Sequence, residues 1–128
     1  MKPLIIFSLF LLFSLNSKSQ KASDLKGTWM GYYVCGQGTT GVRITIDEVK
    51  KNKFSGTFEF FPHYSNYTKD VGLGVTKVTG EFYSKDKILI NLTEWIYNPY
   101  NYGLVNIRTS MSSDGSYMEG KMLNNSLV

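Results

Sequence analysis

The sequence predicts an all-β protein, an antiparallel up-and-down meander of about seven or eight strands that forms a lipocalin-like small barrel or a curved sheet pair. Short runs rich in β-branched and aromatic residues recur along the chain, turn residues separate them at regular spacing, and no segment has a helical period. The short connections without crossover helices favour an up-and-down order. Closure into a barrel is favoured because it removes strand edges.

The first 19 residues are predicted to be a removable signal peptide. A lysine precedes an apolar run from Leu4 to Leu15, which has the length of a signal peptide and is short for a membrane span. Ser17 and Ser19 supply the small residues of a cleavage site, so we expect cleavage after Ser19. Residues 20–128 then form one secreted or periplasmic domain without a membrane span.

The charge of the chain gives little reason to expect nucleic acid as a partner. Removing the leader takes two of the 14 basic residues and none of the 10 acidic ones, which lowers the formal net charge from +4 to about +2. The remaining lysines are scattered apart from a short cluster at 50–53, which is typical of a solvated turn.

The first three predicted strands alternate apolar and polar residues. Trp29 to Cys35 forms the first strand and ends at a glycine-rich turn. Residues 42–46 place three branched apolar side chains on one face, and residues 54–60 place phenylalanines there. The turn at 50–53 joins these two strands, and their apolar faces are predicted to form the core.

Four further strands are predicted: 77–82, 88–92, 105–111 and 117–123. The first two read as a hairpin. Residues 62–70 are predicted to be a loop, and Asn98-Pro99 marks a break because proline cannot donate to a sheet ladder. Glycines inside strands, at Gly56, Gly80 and Gly120, fit the tight coiling or bulges of a small barrel.

Residues 124–128 are too few and too polar to complete an eighth strand. A barrel that is one strand short exposes unpaired backbone groups. We expect residues 20–26 to cover this edge, or the protein to form a homodimer through it. The lone Cys35 allows no internal disulfide, and it is either a small buried side chain or a thiol that pairs between two chains.

The start of the first strand resembles two groups of proteins. Gly27-Thr28-Trp29 resembles the glycine-any-tryptophan motif of lipocalins and their calycin relatives, which implies that Trp29 plugs the closed end of a barrel. The string from Trp29 to Gly41 resembles uncharacterised small exported bacterial domains with a Trp-x-Gly-x-Tyr-x-Cys-x-Gln-Gly pattern, and segments 58–62 and 95–102 resemble their later landmarks. This resemblance implies structural roles for Trp29, Gly31 and Cys35 and no activity. Those relatives often carry a second cysteine near the C-terminus, which this sequence lacks.

No catalytic, metal or cofactor site is predicted. His63 is the only histidine and lies in a proline-flanked loop, which gives no supported hydrolytic triad. The sequence has no His, Cys or Asp cluster with metal-ligand spacing and no glycine-rich phosphate loop that opens a helix. A small secreted hydrolase or an enzyme inhibitor is the alternative function, and a hydrolase would need His63 within hydrogen-bond reach of a carboxylate or Cys35.

Tyrosine and asparagine are concentrated in two irregular segments, 62–67 and 97–102. Such residues offer flat apolar faces with hydrogen-bonding tips, which is the chemistry of carbohydrate stacking and protein recognition. The equally weighted alternative is that these rings fold back over a barrel end. The leading prediction is therefore a non-enzymatic binding module for a small apolar ligand inside the barrel, or for a glycan or protein at these loops. The predicted ligand-binding residues are Tyr64, Tyr67, Trp95, Tyr97, Tyr100 and Tyr102.

Overall fold

The protein is all-β, as the sequence predicts. The computed structural model describes residues 5–6, 25–35, 38–63 and 72–124. Its strands are β1 (Ile5–Ile6), β2 (Gly27–Cys35), β3 (Gly38–Lys50), β4 (Lys53–Pro62), β5 (Gly74–Phe82), β6 (Lys87–Tyr97), β7 (Val105–Met111) and β8 (Met118–Asn124). They form one antiparallel sheet in the order β1-β8-β7-β6-β5-β4-β3-β2, so that β2 to β8 are a simple meander that curls into a partial barrel. In the part of the chain described here, no helix has the length and apolarity needed to cross a membrane.

The core lies on the inner face of the curled sheet, and the predicted alternation places it there. In β3 the three branched side chains at 42, 44 and 46 are at most 2% exposed, while Arg43 and Thr45 between them are only partly buried. The same period of two buries alternate residues of β4 to β8. The largest fully buried side chains are Trp29, Phe58, Leu25, Ile44, Ile46, Ile88, Ile90, Ile107 and Met118.

Glycines inside the strands allow the sheet to coil tightly. A Cβ atom at Gly56 would overlap the carbonyl oxygen of Thr45 on β3, and one at Gly120 would overlap the carbonyl oxygen of Arg108 on β7. Next to Gly56, the register between β3 and β4 shifts between Ile46 and Glu48. These close approaches confirm the predicted role of the strand glycines in coiling and bulges.

The connections of the meander lie alternately at its two ends. The β2–β3, β4–β5 and β6–β7 connections are at the first end, which we call the aromatic end. The turns at 51–52, 83–86 and 112–117 lie at the opposite end, which we call the turn end. Trp29 is fully buried, and its indole Nε1 donates a 2.8 Å hydrogen bond to the carbonyl oxygen of Leu25, the residue that leads into β2 from the turn end.

The two edges of the meander, β8 and β2, approach each other across a seam. β1 pairs antiparallel with β8, with Ile5 opposite Met122 and Ile6 opposite Lys121, and it also contacts β2. Residues 20–26 were predicted to cover this edge. Of these, residues 20–24 lie outside the described part of the chain. In the described part of the chain, the residues that pair with this edge are Ile5 and Ile6 of the predicted leader.

Candidate functional site

The β6–β7 connection is built as a fixed loop. Asn98, Pro99, Tyr100 and Asn101 form a turn in which the Asn101 N–H donates to the Asn98 carbonyl oxygen at 3.3 Å. Proline suits the second position of such a turn, and Asn101 has a φ of 57°, a conformation that asparagine adopts more readily than most residues. The Asn98 side chain also accepts a 2.9 Å hydrogen bond from the Tyr102 N–H and donates a 3.0 Å bond to the Tyr102 carbonyl oxygen. These hydrogen bonds fix the backbone of the loop between Asn98 and Tyr102.

Aromatic rings from three segments meet at this end. Phe60, near the end of β4, makes edge-on contacts with Trp95 of β6 and Tyr102, with ring centroids 6.1 and 5.5 Å apart. Tyr100 stacks on Tyr102 with centroids 6.0 Å apart and an interplanar angle of 28°. Edge-on and offset-stacked arrangements are the favourable geometries for aromatic pairs. Phe60 is therefore the centre of the cluster.

Two glycines make room for these rings. A Cβ atom at Gly72 would lie 2.6 Å from a Tyr100 ring carbon, and one at Gly74 would lie 2.7 Å from Cζ of Phe60. Both distances are shorter than side chains tolerate, so the rings rest on backbone that glycine leaves bare. The rings of Tyr100 and Phe60 thereby tie the start of β5 to the β6–β7 loop.

Four of the six predicted ligand-binding residues can be placed, and they divide into two pairs. Trp95 and Tyr102 are partly buried and pack against the core, which is the alternative role that the sequence allowed for such rings. Tyr97 and Tyr100 are 50% and 52% exposed. Tyr64 and Tyr67 lie outside the described residues.

Trp95 and Tyr97 lie on a strand rather than in an irregular segment. β6 continues to Tyr97, where it pairs with Val75, and Trp95 pairs with Thr76. The sequence alternation is lost here because the register with β5 shifts between residues 75 and 76 and again between 77 and 78. Because β6 extends to Tyr97, residues 95–97 are part of the sheet and lie next to the aromatic end.

Two inward-facing threonines near the aromatic end have unpaired hydroxyls. Thr40 and Thr76 are 0% exposed, and neither Oγ1 has a hydrogen-bond partner in the described part of the chain. Thr76 lies between Phe58 on β4 and Trp95 on β6. Buried hydroxyls are normally hydrogen-bonded, so an unpaired one indicates a cost or a missing partner.

Sequence reasoning missed Phe60, Gly72, Gly74 and these two threonines as parts of the site. The threonines were detectable in principle, because Thr40 precedes Val42 and Thr76 precedes Val78 at the inward period of two. Phe60 was predicted as a core residue, and its contacts with Trp95 and Tyr102 depend on pairings between distant segments. No signal in a single sequence locates such contacts.

The remaining predicted residues have structural positions. Gly31 pairs with Val42, and Cys35 ends β2 opposite Gly38, with its side chain outside the described part. The ring of His63 lies against the ring of Tyr32 in a tilted arrangement, with centroids 5.7 Å apart. Among the described residues, no group of three or more His, Cys, Asp and Glu residues could hold a metal ion.

The outer face of β3 and β4 carries an organised polar and aromatic row. Arg43 donates through Nη1 to Oε1 of Glu59 at 2.6 Å, and its guanidinium lies 5.6 Å from the ring centroid of Phe61. The Phe61 ring covers Gly41, the cross-strand partner of Tyr32. These contacts engage the Arg43 guanidinium with one carboxylate and one aromatic ring, whereas Tyr97 and Tyr100 at the aromatic end are about half exposed.

No protein-family model, curated protein or solved structure matches this chain. The resemblances to lipocalins and to the small exported bacterial domains therefore stay predictions. Functional inference here depends on the site alone, since a fold by itself does not select a function.

Proposed function

We propose that this chain is an exported, non-enzymatic binding module that takes its ligand at the aromatic end. The observation that carries the proposal is the half-exposed ring of Tyr100, which stacks on Tyr102 in a loop fixed by the Asn98 side chain. A ring that is already held in its place loses little conformational freedom when it binds. Tyr97, half exposed on the adjacent strand end, adds a second ring.

A glycan or a protein segment with a flat apolar face is the ligand class that this surface suits. Tyrosine faces stack on sugar rings or apolar side chains, and their hydroxyls donate and accept hydrogen bonds.

A small ligand inside the barrel is the second candidate, and the Thr40 and Thr76 hydroxyls favour it. Both are buried, unpaired and near the same end. A ligand that enters there would be mainly apolar, because large apolar side chains line the interior, and it would carry a polar group for a hydroxyl.

The test compares Tyr100→Ala with Tyr83→Ala in the exported chain. Tyr83 is a matched control because it is 53% exposed and lies at the turn end. Binding to an array of glycans and to a peptide display library is measured for the wild type and both variants, and native mass spectrometry checks for a retained small molecule. We expect Tyr100→Ala to lose about tenfold or more in affinity for the selected ligand, whereas Tyr83→Ala keeps it.

Equal binding by both variants would refute the aromatic end as the site. A small molecule that co-purifies and is lost from Thr76→Val, with no effect of Tyr100→Ala, would transfer the function to the barrel interior. Circular dichroism and thermal unfolding of each variant separate lost binding from lost folding.

A further inference from the structure

The outer edge of β8 is a strand-binding edge. Ile5 and Ile6 pair with it antiparallel, opposite Met122 and Lys121, and they also contact β2 on the other side. Opposite Met122 and Lys121, a single strand thus lies between β8 and β2. The segment that fills it belongs to the predicted leader, so its removal would free the β8 edge for another strand.

β8 has a sequence pattern that specifies its partner strand. Met118 and Met122 are at most 5% exposed and face the core, while Glu119 and Lys121 are exposed on the outer face. Directly opposite residues of an antiparallel pair share a face. A complementary strand therefore carries apolar residues opposite the two methionines, an acid opposite Lys121 and a base opposite Glu119.

The charges of β7 and β8 support an acidic residue at that position. Lys121 lies directly opposite Arg108, and like charges in this position are destabilising. Three other cross-strand cations on the outer face each pair with an acid: Arg43 with Glu59, Lys53 with Glu81, and Lys77 with Glu94. Arg108 and Lys121 have no such acid within 4.0 Å among the described residues, and they line an open groove of about 520 Å³ with Glu119.

We propose that the exported chain binds an extended strand of another polypeptide at the β8 edge, antiparallel, with the order apolar, acidic, apolar, basic, apolar. This inference rests on the proposed removal of residues 1–19 and is independent of the aromatic end. A second copy of β8 has a matching order of residues. It would, however, bring its own β7 into the space that β2 occupies, so a lone strand fits the seam and a sheet edge does not.

The test uses the exported chain as its host processes it, with its N-terminus identified by mass spectrometry. The probe is a soluble peptide with the core Ile-Glu-Phe-Lys-Ile, in which the aromatic residue lies opposite Gly120, a pairing that suits an edge glycine. The control peptide, Ile-Lys-Phe-Glu-Ile, has the same composition with the charges exchanged. Fluorescence anisotropy should show the probe binding about tenfold more tightly, because two favourable cross-strand pairs become two like-charge pairs in the control.

The double variant Glu119→Lys with Lys121→Glu makes the test reciprocal. Both residues are exposed, so the variant is expected to fold, and it should prefer the control peptide over the probe. Tyr100→Ala should leave both affinities unchanged, which separates this site from the aromatic end.

Three outcomes would overturn the proposal. They are failure of both peptides to bind, an unchanged preference in the double variant, and a purified chain that keeps residues 1–19. A concentration-dependent dimer that Lys121→Glu alone disrupts would instead assign the edge to a second copy of the chain.

Discussion

Replacing Thr76 with valine should stabilise the protein. The Thr76 side chain is 0% exposed, and its Oγ1 has no hydrogen-bond partner in the described part of the chain. Burying an unpaired hydroxyl costs about 1–3 kcal/mol relative to water. Valine has nearly the same shape and an equally high strand propensity, so it removes that cost without opening a cavity.

The expected gain is about 1–2 kcal/mol in the free energy of unfolding, at the lower end of the range because a side chain that relaxes toward a neighbour recovers part of the cost. For a domain of this size, that corresponds to a rise in Tm of roughly 5–10 °C. Urea unfolding followed by circular dichroism measures the free energy, and differential scanning calorimetry measures Tm. The slope of the urea transition should stay constant, since the fold does not change.

Thr109→Val is the matched control. Thr109 is 2% exposed and faces the same core, but its hydroxyl donates to Sδ of Met118 at 3.8 Å. Because this hydroxyl already has an acceptor, and a thioether is a weak one, its replacement should give no gain in stability and a loss of at most about 1 kcal/mol. If Thr76→Val instead lowers stability by about 1 kcal/mol or more, Thr76 has a partner, such as a buried water, and the reasoning is wrong.

Two further predictions concern the strand glycines and the β7–β8 turn. Gly56→Ala should destabilise the domain by at least about 2 kcal/mol in urea unfolding, because the new Cβ meets a carbonyl oxygen of β3. Gly103→Ala is the control, since nothing lies within 4 Å of its Cβ, and it should be neutral or slightly stabilising. Equal effects of the two substitutions would refute the role of Gly56 in coiling. The Asp114 carboxylate accepts hydrogen bonds from the hydroxyl and N–H of Ser116 and from the hydroxyl of Ser112. These bonds hold the pKa of Asp114 below its ordinary value. A lowered pKa in the folded state means that ionised Asp114 stabilises the protein above about pH 4 and that this contribution is lost as the pH falls further. Asp114→Ala should therefore reduce Tm at pH 7, and this deficit should shrink as the pH falls below about 4. A deficit in Tm that stays constant as the pH falls would contradict this assignment.

The order of the strands and the composition of the core were predictable from the sequence. A period of two over residues 42–46, 54–60 and 88–92 gives each strand one apolar face, and a slip by one residue would expose all of it. Short turns then leave the meander as the simplest topology. The role of Gly56 and Gly120 was predictable from their inward positions in strands, since a glycine there usually marks a close approach of two backbones.

The candidate site was predictable only in part. The meander order places the β4–β5 and β6–β7 connections at one end, so topology predicts that the two tyrosine-rich segments lie near each other. The exposure of each tyrosine does not follow from topology. It depends on the contacts of Phe60 in β4 with Trp95 and Tyr102, which are more than 30 residues away in the sequence. The pairing of Ile5–Ile6 with β8 was also outside sequence reasoning, which assigned that segment to export alone.

The unpaired threonines connect stability with the choice between the two binding modes. Valine at either position would fit the strand and avoid a buried unpaired hydroxyl, so each threonine lowers stability unless its hydroxyl has a partner. A stabilised Thr76→Val that still binds its ligand at Tyr100 would show that the hydroxyl is a cost without a use in recognition. A stabilised Thr76→Val that loses a retained small molecule would show that the protein accepts lower stability for a polar contact inside the barrel. The same variant thus separates surface recognition from interior binding, and stability and binding have to be measured on the same preparation, because neither alone distinguishes the two.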